Sequence, residues 1–534
     1  MATSVYPSLT GTRYEHALGT MHLAIQAWEQ AWNRATRETQ DRFFREVRTE
    51  LQDHPAGMDD KSGGLLHLDC TKESFARQIA VVVGAVGLTH DIGHPPFSHA
   101  LEHFYEDNAP AMLGSSVVAE WRSYQASVLS GRPQFHEFAG KRILDQVLER
   151  QDRLPTYLIR RVFGARGDAP FDWAAGLHGL IDGEFDVDRL DYLARDSGRA
   201  GTEFDAFDSA RLLDSLELHH TKGWGWVFGL GLRARSAMET FLFQRAQAYV
   251  WMIFHSGVVA SNAFLQRAVE ELWRLSSDQS VSLAVRNAFG RIRPNLDYLS
   301  GHTVDDHTVY TWLKAGSETA TSHLANGSGE PAALTMVRVL CEESLYHEPR
   351  YVPLWRTFDE QVEVCDELQR FNVSLNHFAH RLADRPLRDA LQASTRDNWS
   401  GSAVDINGII ASHREQVADL ERMLNEQYPR VDVLGDGRWV VAYTHLSPFS
   451  ARRTFNHLFD GLKPVSLQDV SPVVRQLADI CDERIKLHVF YLLSSDTRYF
   501  DEGRRKLHSV QLRQPFADVF RQWMDALARQ IRAA

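Results

Sequence analysis

The segment LTHDIGHPPFSHALE, residues 88–102, gathers His90, Asp91, His94, His99 and Glu102 around a Gly-His-Pro-Pro turn. Imidazole and carboxylate together suit Mn, Fe, Ni, Zn or Mg, and the ligand types alone do not choose among them. Adjacent His and Asp at the end of a helix reach one ion only if the backbone turns there. The prolines at 95 and 96 supply that break, because each removes a donor and restricts the residue before it. A bare His-Asp pair arises often by chance, so two further segments carry the weight. RYEH, residues 13–16, places a histidine near the start of a helix. GEFDVDRLDYLARDSGRAG, residues 183–201, holds a run of aspartates in which Asp188, Asp191 and Tyr192 fall at helical spacings of three and four. A carboxylate face and a core face then coexist on one helix.

In the order RYEH, HDIGHPPFSH, HE and FDVDRLDYLARD, the chain resembles the HD-domain deoxynucleoside triphosphate triphosphohydrolases over roughly residues 5–270. The resemblance implies His16, His90, Asp91 and Asp188 as ligands of a divalent metal. It implies His94, His99, Glu102 and His136 as acid–base and supporting groups, and Arg13, Arg189, Tyr192 and Asp196 as contacts to phosphates or sugar. An ion held by two His and two Asp keeps positions open for water and a phosphate oxygen, and offsets charge on the phosphoryl group. His99 is the candidate donor of a proton to the leaving oxygen. Glu102, close to one helical turn away, orients it and raises its pKa, and His136-Glu137 does similar work from another helix.

Two features depart from those relatives. Family members carry a strand and loop before the RYEH segment that helps recognise the nucleotide, whereas this chain begins almost at that point with VYPSLTGTRYEH. The base-reading element is therefore expected to be absent or supplied from elsewhere. In relatives the helix matching AYVWMIFHS, residues 248–256, also carries Arg or Lys for a triphosphate. Here Val250, Trp251 and Ser256 stand in those places, while Tyr249 and His255 remain as candidate substrate contacts. Replacing guanidinium by indole removes bidentate phosphate contacts and adds an aromatic face. Arg233, Arg235 and Arg245 are available nearby to compensate.

The expected reaction is hydrolysis of a dNTP to deoxynucleoside and triphosphate. A second reading is a phosphodiesterase or nuclease acting on single-stranded nucleic acid or a modified nucleotide, with Trp251 as a stacking platform. A third is a catalytically weak nucleotide-sensing or assembly protein. Among the remaining candidates, Asp186 is read as a helix cap and Asp191 as a partner of Arg195. His302 and His307 are read as a solvated loop, and His219, His220 and His445 as surface or core.

Positioning these groups requires helices, and the expected fold is mainly α: an HD-domain helical core over residues 1–275 and a helical region over 276–534 with a small β-hairpin. Tyr14 to Arg37 puts Ala17, Met21, Ile25 and Trp28 on one stripe. Ser74 to Thr89 reads as a buried helix capped by Thr71 or Ser74. Further helices are expected at 136–150, 154–164, 188–196, 207–218, 233–273, 333–347, 357–371, 376–394 and 411–427. Residues 38–68 read as a charged, then glycine-rich surface insertion, and 316–331 as a polar loop. VDVLGDGRWVVAY, 431–443, alternates around Gly-Asp-Gly and predicts the hairpin, and residues 450–534 end in an amphipathic helix.

The whole-chain properties bound the partners. A net charge of −12 argues against broad nonspecific nucleic-acid binding, though not against a local basic groove. Four cysteines lie far apart without CxxC spacing, which excludes a zinc ribbon and makes a reducing cytoplasm the expected compartment. The longest apolar stretch, Ile79 to Leu88, is too short to span a bilayer. Thirteen Trp, 15 Tyr and 28 Phe point to large buried surfaces. The partners expected are a nucleotide and further copies of the chain, with single-stranded nucleic acid the partner under the second reading. A different protein could also dock through 38–68 or the C-terminal region; no membrane partner is expected.

Overall fold

A computed structural model describes residues 2–53, 71–127, 134–149, 153–165, 170–294, 304–357, 406–445, 458–495 and 502–533, with 296, 299, 360 and 361 and without 184, 433, 462, 466 and 484. It is mainly α, with two four-stranded sheets among the described residues. The first long helix, Arg13–Arg34, starts on a capping box: Thr12 Oγ1 accepts from the Glu15 amide at 3.2 Å and Glu15 Oε2 accepts from the Thr12 amide at 2.7 Å. Such a cap contributes about 1 kcal/mol and fixes where the helix begins. That start places His16 in its first turn. The helix buries Ala24, Ala27, Trp28 and Ala31 against the Lys72–Thr89 helix, whose cap is Thr71, accepting from the Ser74 amide at 3.3 Å.

Residues 38–53 are not a surface insertion. They form the helix Arg37–Asp53, and its Phe43, Val47 and Leu51 are buried in the same core as Trp28, Phe75 and Trp226. The charged residues occupy its outer face, which is why composition alone read as solvated. The remainder of the expected insertion, from 54 on, lies outside the described residues, as do 376–394 and, of the expected helix at 357–371, all but residues 357, 360 and 361.

Other helices fall near their expected places: Phe135–Leu148, Arg153–Phe163, Val187–Ala200, Pro331–Tyr346, Ile406–Gln427 and the terminal Glu502–Ala533. Four readings change. The expected helix at 207–218 is a short turn, Ser209–Leu213, followed by strand β1, Leu216–Thr221, which pairs antiparallel with β2, Gly225–Gly231. The span 233–273 is two helices, Arg235–Ala248 and Ser256–Ser277, joined by a wider turn in which the Phe254 amide donates to the Tyr249 carbonyl five residues back at 2.8 Å. The polar stretch from 316 continues the helix Asp306–Ala325, so only residues 326–330 loop. His307 is therefore helical, while His302 lies outside the described residues.

The hairpin is present but displaced. β4, Arg430–Val431, pairs with β5, Gly435–His445, and Gly-Asp-Gly lies within β5. The long partner of β5 is β8, Ile485–Leu493, which also pairs with β3, Tyr351–Pro353, in the order β3-β8-β5-β4. The other sheet continues from β2 to β6, Leu458–Asp460, in parallel and on to β7, Lys463–Val465. The helix Ser256–Ser277 spans residue 275, and one buried cluster combines Phe104, Phe135 and Phe264 with Leu340, Val440 and Phe490. Among the described residues no single helix is long and apolar enough to cross a membrane.

Candidate active site

Three helix ends converge on one point. His16 comes from the first turn of Arg13–Arg34, His90 and Asp91 from the end of Lys72–Thr89, and Asp188 from the first turn of Val187–Ala200. His16 Nε2 lies 3.0 Å from Asp188 Oδ1 and 3.7 Å from Asp91 Oδ2; His90 Nε2 lies 3.3 Å from Asp91 Oδ1 and 3.6 Å from Asp188 Oδ1. The two imidazoles are anchored from behind. His90 Nδ1 is 2.8 Å from the Gly87 carbonyl, and His16 Nδ1 is 2.6 Å from Asp191 Oδ2. A hydrogen bond at Nδ1 fixes the tautomer and leaves the Nε2 lone pair for a cation. The buried His90 Nε2 makes no hydrogen bond among the described residues. Two imidazole nitrogens and two carboxylates facing one point, each imidazole held at its far nitrogen, fit a divalent ion.

Asp191 does pair with Arg195, at 3.1 Å, but the same oxygen supports His16, which spacing alone left unassigned. Gly19 makes room for it: a Cβ there would stand 1.9 Å from Asp191 Oδ1. Asp186 caps its helix, Oδ1 accepting from the Arg189 amide at 2.8 Å.

Proton and metal compete for these nitrogens. Burial opposes charge, yet hydrogen bonds to Asp188 and Asp191 raise His16 to about 10. Burial opposes charge at His90 too, but the Asp91 and Asp188 carboxylates raise it to about 9. Asp188, despite burial, is held at about 2 by the neighbouring His16 and His90 imidazoles. At neutral pH a metal must displace protons from both imidazoles. Its apparent affinity should therefore tighten as pH rises from 6 toward 9, by up to about tenfold per pH unit for each proton displaced. Titration calorimetry in buffers of differing ionisation enthalpy counts those protons; an affinity flat with pH and no proton release would sink this expectation.

Beside this point lies a second cluster. Glu102 is buried with both oxygens engaged: Oε2 lies 2.8 Å from His99 Nδ1, and Oε1 lies 2.5 Å from His136 Nδ1 and 3.3 Å from the His136 amide. His136 stacks on His94, centroids 3.9 Å apart and 17° between planes, and His94 Nε2 reaches Asp91 Oδ1 at 3.3 Å. His94 thus joins the two groups. Burial lowers it to about 4, so its ring is neutral near pH 7. At His99 partial loss of solvation also opposes charge, but Glu102 wins and its pKa is raised. Its side chain is 71% exposed, open to an incoming molecule.

Backbone geometry explains the placement. Gly93 lies so close to the Phe135–Leu148 helix that a Cβ would meet the His136 carbonyl at 2.0 Å and the Gly140 amide at 2.1 Å. Phe97 and Ser98 both have positive φ, 58° and 54°, which costs on the order of 1–3 kcal/mol per residue and redirects the chain into the His99–Met112 helix.

The expected substrate contacts separate. Tyr192 and Tyr249 bring their hydroxyls 3.4 Å apart, and the buried Arg245 lies 5.7 Å from the Tyr249 ring. Burial and Tyr249 push the Tyr192 hydroxyl well above the usual range, so it is a neutral hydrogen-bonding group. Arg189 bonds the Gly183 carbonyl and Asp186 beneath its own helix. Arg13 donates to the Pro95 carbonyl at 2.8 Å, and Asp196 Oδ1 accepts from Arg195 at 2.5 Å. His255 caps the Ser256–Ser277 helix, accepting from the Gly257 amide at 3.2 Å, and Trp251 is 60% exposed.

No protein-family profile matches the chain. Over 269 residues, 50% of this chain, it is 26% identical to an uncharacterised protein of Methanocaldococcus jannaschii, 40% of which is covered. Over 209 residues, 38% of this chain, it is 27% identical to a protein of Acanthamoeba polyphaga mimivirus provisionally named for an HD domain, 36% of which is covered. The chain spans about two fifths of the length of these curated relatives. A phosphohydrolase of known structure from Bacteroides thetaiotaomicron shares 16% identity at a TM-score of 0.49, with 92% of this chain and 90% of that one covered.

Sequence spacing missed Asp191 as the support of His16 and Asp306 as an acceptor for the Phe97 amide, at 2.8 Å. Asp191 sits three residues after Asp188, so its helical phase was the available signal. Asp306 lies 209 residues from its partner, and no local pattern marks it.

Proposed function

We propose that the chain is a metal-dependent HD-type phosphohydrolase of nucleotides, with dNTP to deoxynucleoside and triphosphate as its favoured reaction. The observation that carries this reading is the meeting of His16, His90, Asp91 and Asp188 from three helix ends within 3.0–3.7 Å. The HD-domain name of the mimivirus relative supports it. His16 and His90 through Nε2, with Asp91 and Asp188, would hold the ion. A divalent ion held there would supply Lewis acidity, offsetting phosphoryl charge and lowering the pKa of water.

The chain's own groups do the rest. His99, tied at Nδ1 to Glu102, holds a transferable proton at Nε2 and presents it to the leaving oxygen. Glu102 fixes both His99 and His136 in one tautomer. Neutral His94 packs between His136 and Asp91 and holds the two groups together. Tyr192, on the helix that carries Asp188, and Tyr249 offer two hydroxyls and two ring faces to a sugar or base, with Arg245 behind them.

Trp251 favours a second reading. An indole 60% exposed, where a phosphate-binding arginine was expected, suits stacking of an unpaired base in a single strand. Incubating the protein with Mn, Co, Mg or Ni and dNTPs, NTPs, cyclic nucleotides or short oligonucleotides separates the two. Inorganic triphosphate from a dNTP is the expected product; nucleoside monophosphates released from an oligomer, with dNTPs untouched, would replace the first reading by the second.

A further inference from the structure

The two positive-φ residues before His99 set the direction in which its helix leaves the His-Pro-Pro turn, and hence where His99 and Glu102 stand. Non-glycine residues in the left-handed region are uncommon, and two in succession persist only where the surroundings over-determine them. Part of that support is local: the Ser98 amide donates to the Pro95 carbonyl at 2.9 Å, and Arg13 holds the same carbonyl at 2.8 Å.

The rest comes from the far half of the chain. The Phe97 amide donates to Asp306 Oδ1 at 2.8 Å, and the Phe97 ring meets Tyr310 edge-on, centroids 5.3 Å apart at 89°. Asp306 and Tyr310 are one turn apart at the start of the Asp306–Ala325 helix, so one helix face grips both backbone and side chain of a single residue. That helix end is itself fixed. Asp305 Oδ1 accepts from the Thr308 amide at 2.8 Å, and Thr308 Oγ1 accepts from the Asp305 amide at 3.3 Å.

We propose that Asp306 is a positioning residue for His99: its carboxylate holds the Phe97 amide, fixes the Phe97–Ser98 turn and so sets the His99–Glu102 pair against the metal ligands. This gives the region beyond residue 275 an indirect part in the chemistry, and it rests on the hydrolytic reading of His99. Asp306 touches no reacting atom; it acts through the turn.

The test compares full-length Asp306→Ala, Asp306→Asn and His99→Ala. Amide-resolved hydrogen exchange is followed over residues 95–104, with kcat and KM measured on the best substrate of the nucleotide panel. Asp306→Ala should speed exchange at Phe97 and lower kcat by about ten- to a hundredfold with KM and Tm little changed, the effect expected of a small misplacement. Asp306→Asn keeps an oxygen acceptor and should restore both. Parental exchange at Phe97 in Asp306→Ala, or equal impairment of the Asn and Ala variants, overturns the proposal. An inactive His99→Ala beside a fully active Asp306→Ala also overturns it. Parental turnover in His99→Ala would fall instead on the hydrolytic reading, and the exchange experiment still decides the clamp.

Discussion

His90→Ala and Asp188→Ala should each lose metal and turnover together while the helical fold survives. Supporting partners of metal ligands are worth about 10–100-fold in affinity, so a direct ligand should cost more than about a hundredfold. Neither change opens a large apolar void, because both side chains sit at a polar meeting point of helix ends. The metal-free proteins add a signature with a definite sign. In the parent, His16 at about 10 and His90 at about 9 stand above their ordinary value of 6.5. Their protonation therefore contributes stability that is complete below about pH 6.5 and lost as pH rises through 9 to 10. Asp188→Ala removes a carboxylate that raises both. The metal-free variant should thus be less stable than the parent at pH 6–7, with the gap closing toward pH 10. Added metal should raise the parent's Tm and leave both variants unmoved. Equilibrium dialysis, circular dichroism and turnover check the set, and full turnover of either variant after chelation would defeat the metal mechanism.

How much of this was legible depends on the reach of the interaction. His90, Asp91, His94, His99 and Glu102 share 13 residues, and proline chemistry dictates the turn between them, so local sequence sufficed. The first turns holding His16 and Asp188 were legible for the same reason, since Thr12 and Asp186 cap them within three residues. The sheets were not. β5 finds β8 some 50 residues on, β8 finds β3 more than 130 residues back, and such pairings leave no periodic trace at either partner. Arg37–Asp53 was hidden by its charged outer face, although Phe43, Val47 and Leu51 keep helical spacing. The break at Tyr249–Ile253 was hidden for a different reason: one inserted residue in a helical turn leaves the composition unchanged. It matters because it sets the neighbouring Tyr249 and Trp251, and so the proposed substrate wall, off the register of a regular helix.

Glu102→Gln should lower kcat by about a hundredfold or more, the range removed with a general acid, and draw the alkaline limb of the pH–rate profile toward neutrality. Both Glu102 oxygens accept from an Nδ1, and a carboxamide offers only one oxygen. Its NH2 would face the Nδ1–H of the other ring, so either His99 or His136 must turn or change tautomer. The charge is lost as well. Partial desolvation opposes protonation of His99, and the Glu102 carboxylate overrides it; without that charge the pKa falls and the acid form is lost at lower pH. The stability effect runs the opposite way along the pH axis. Burial disfavours the Glu102 charge, yet bonds from His136 and His99 hold its carboxyl far below its ordinary 4.5. A depressed carboxylate contributes stability that is present above about 4.5 and lost as pH falls toward its folded value. Glu102→Gln should thus be clearly less stable than the parent at pH 7, with the difference shrinking in acid. Metal content decides between two meanings of the second cluster, since His94, His99, Glu102 and His136 also offer ligand atoms within 4.8 Å of one another. Parental metal content with a shifted pH profile assigns Glu102 to proton transfer. Loss of metal matching that of His90→Ala would move it among the ligands, and an unshifted profile would remove His99 as the acid.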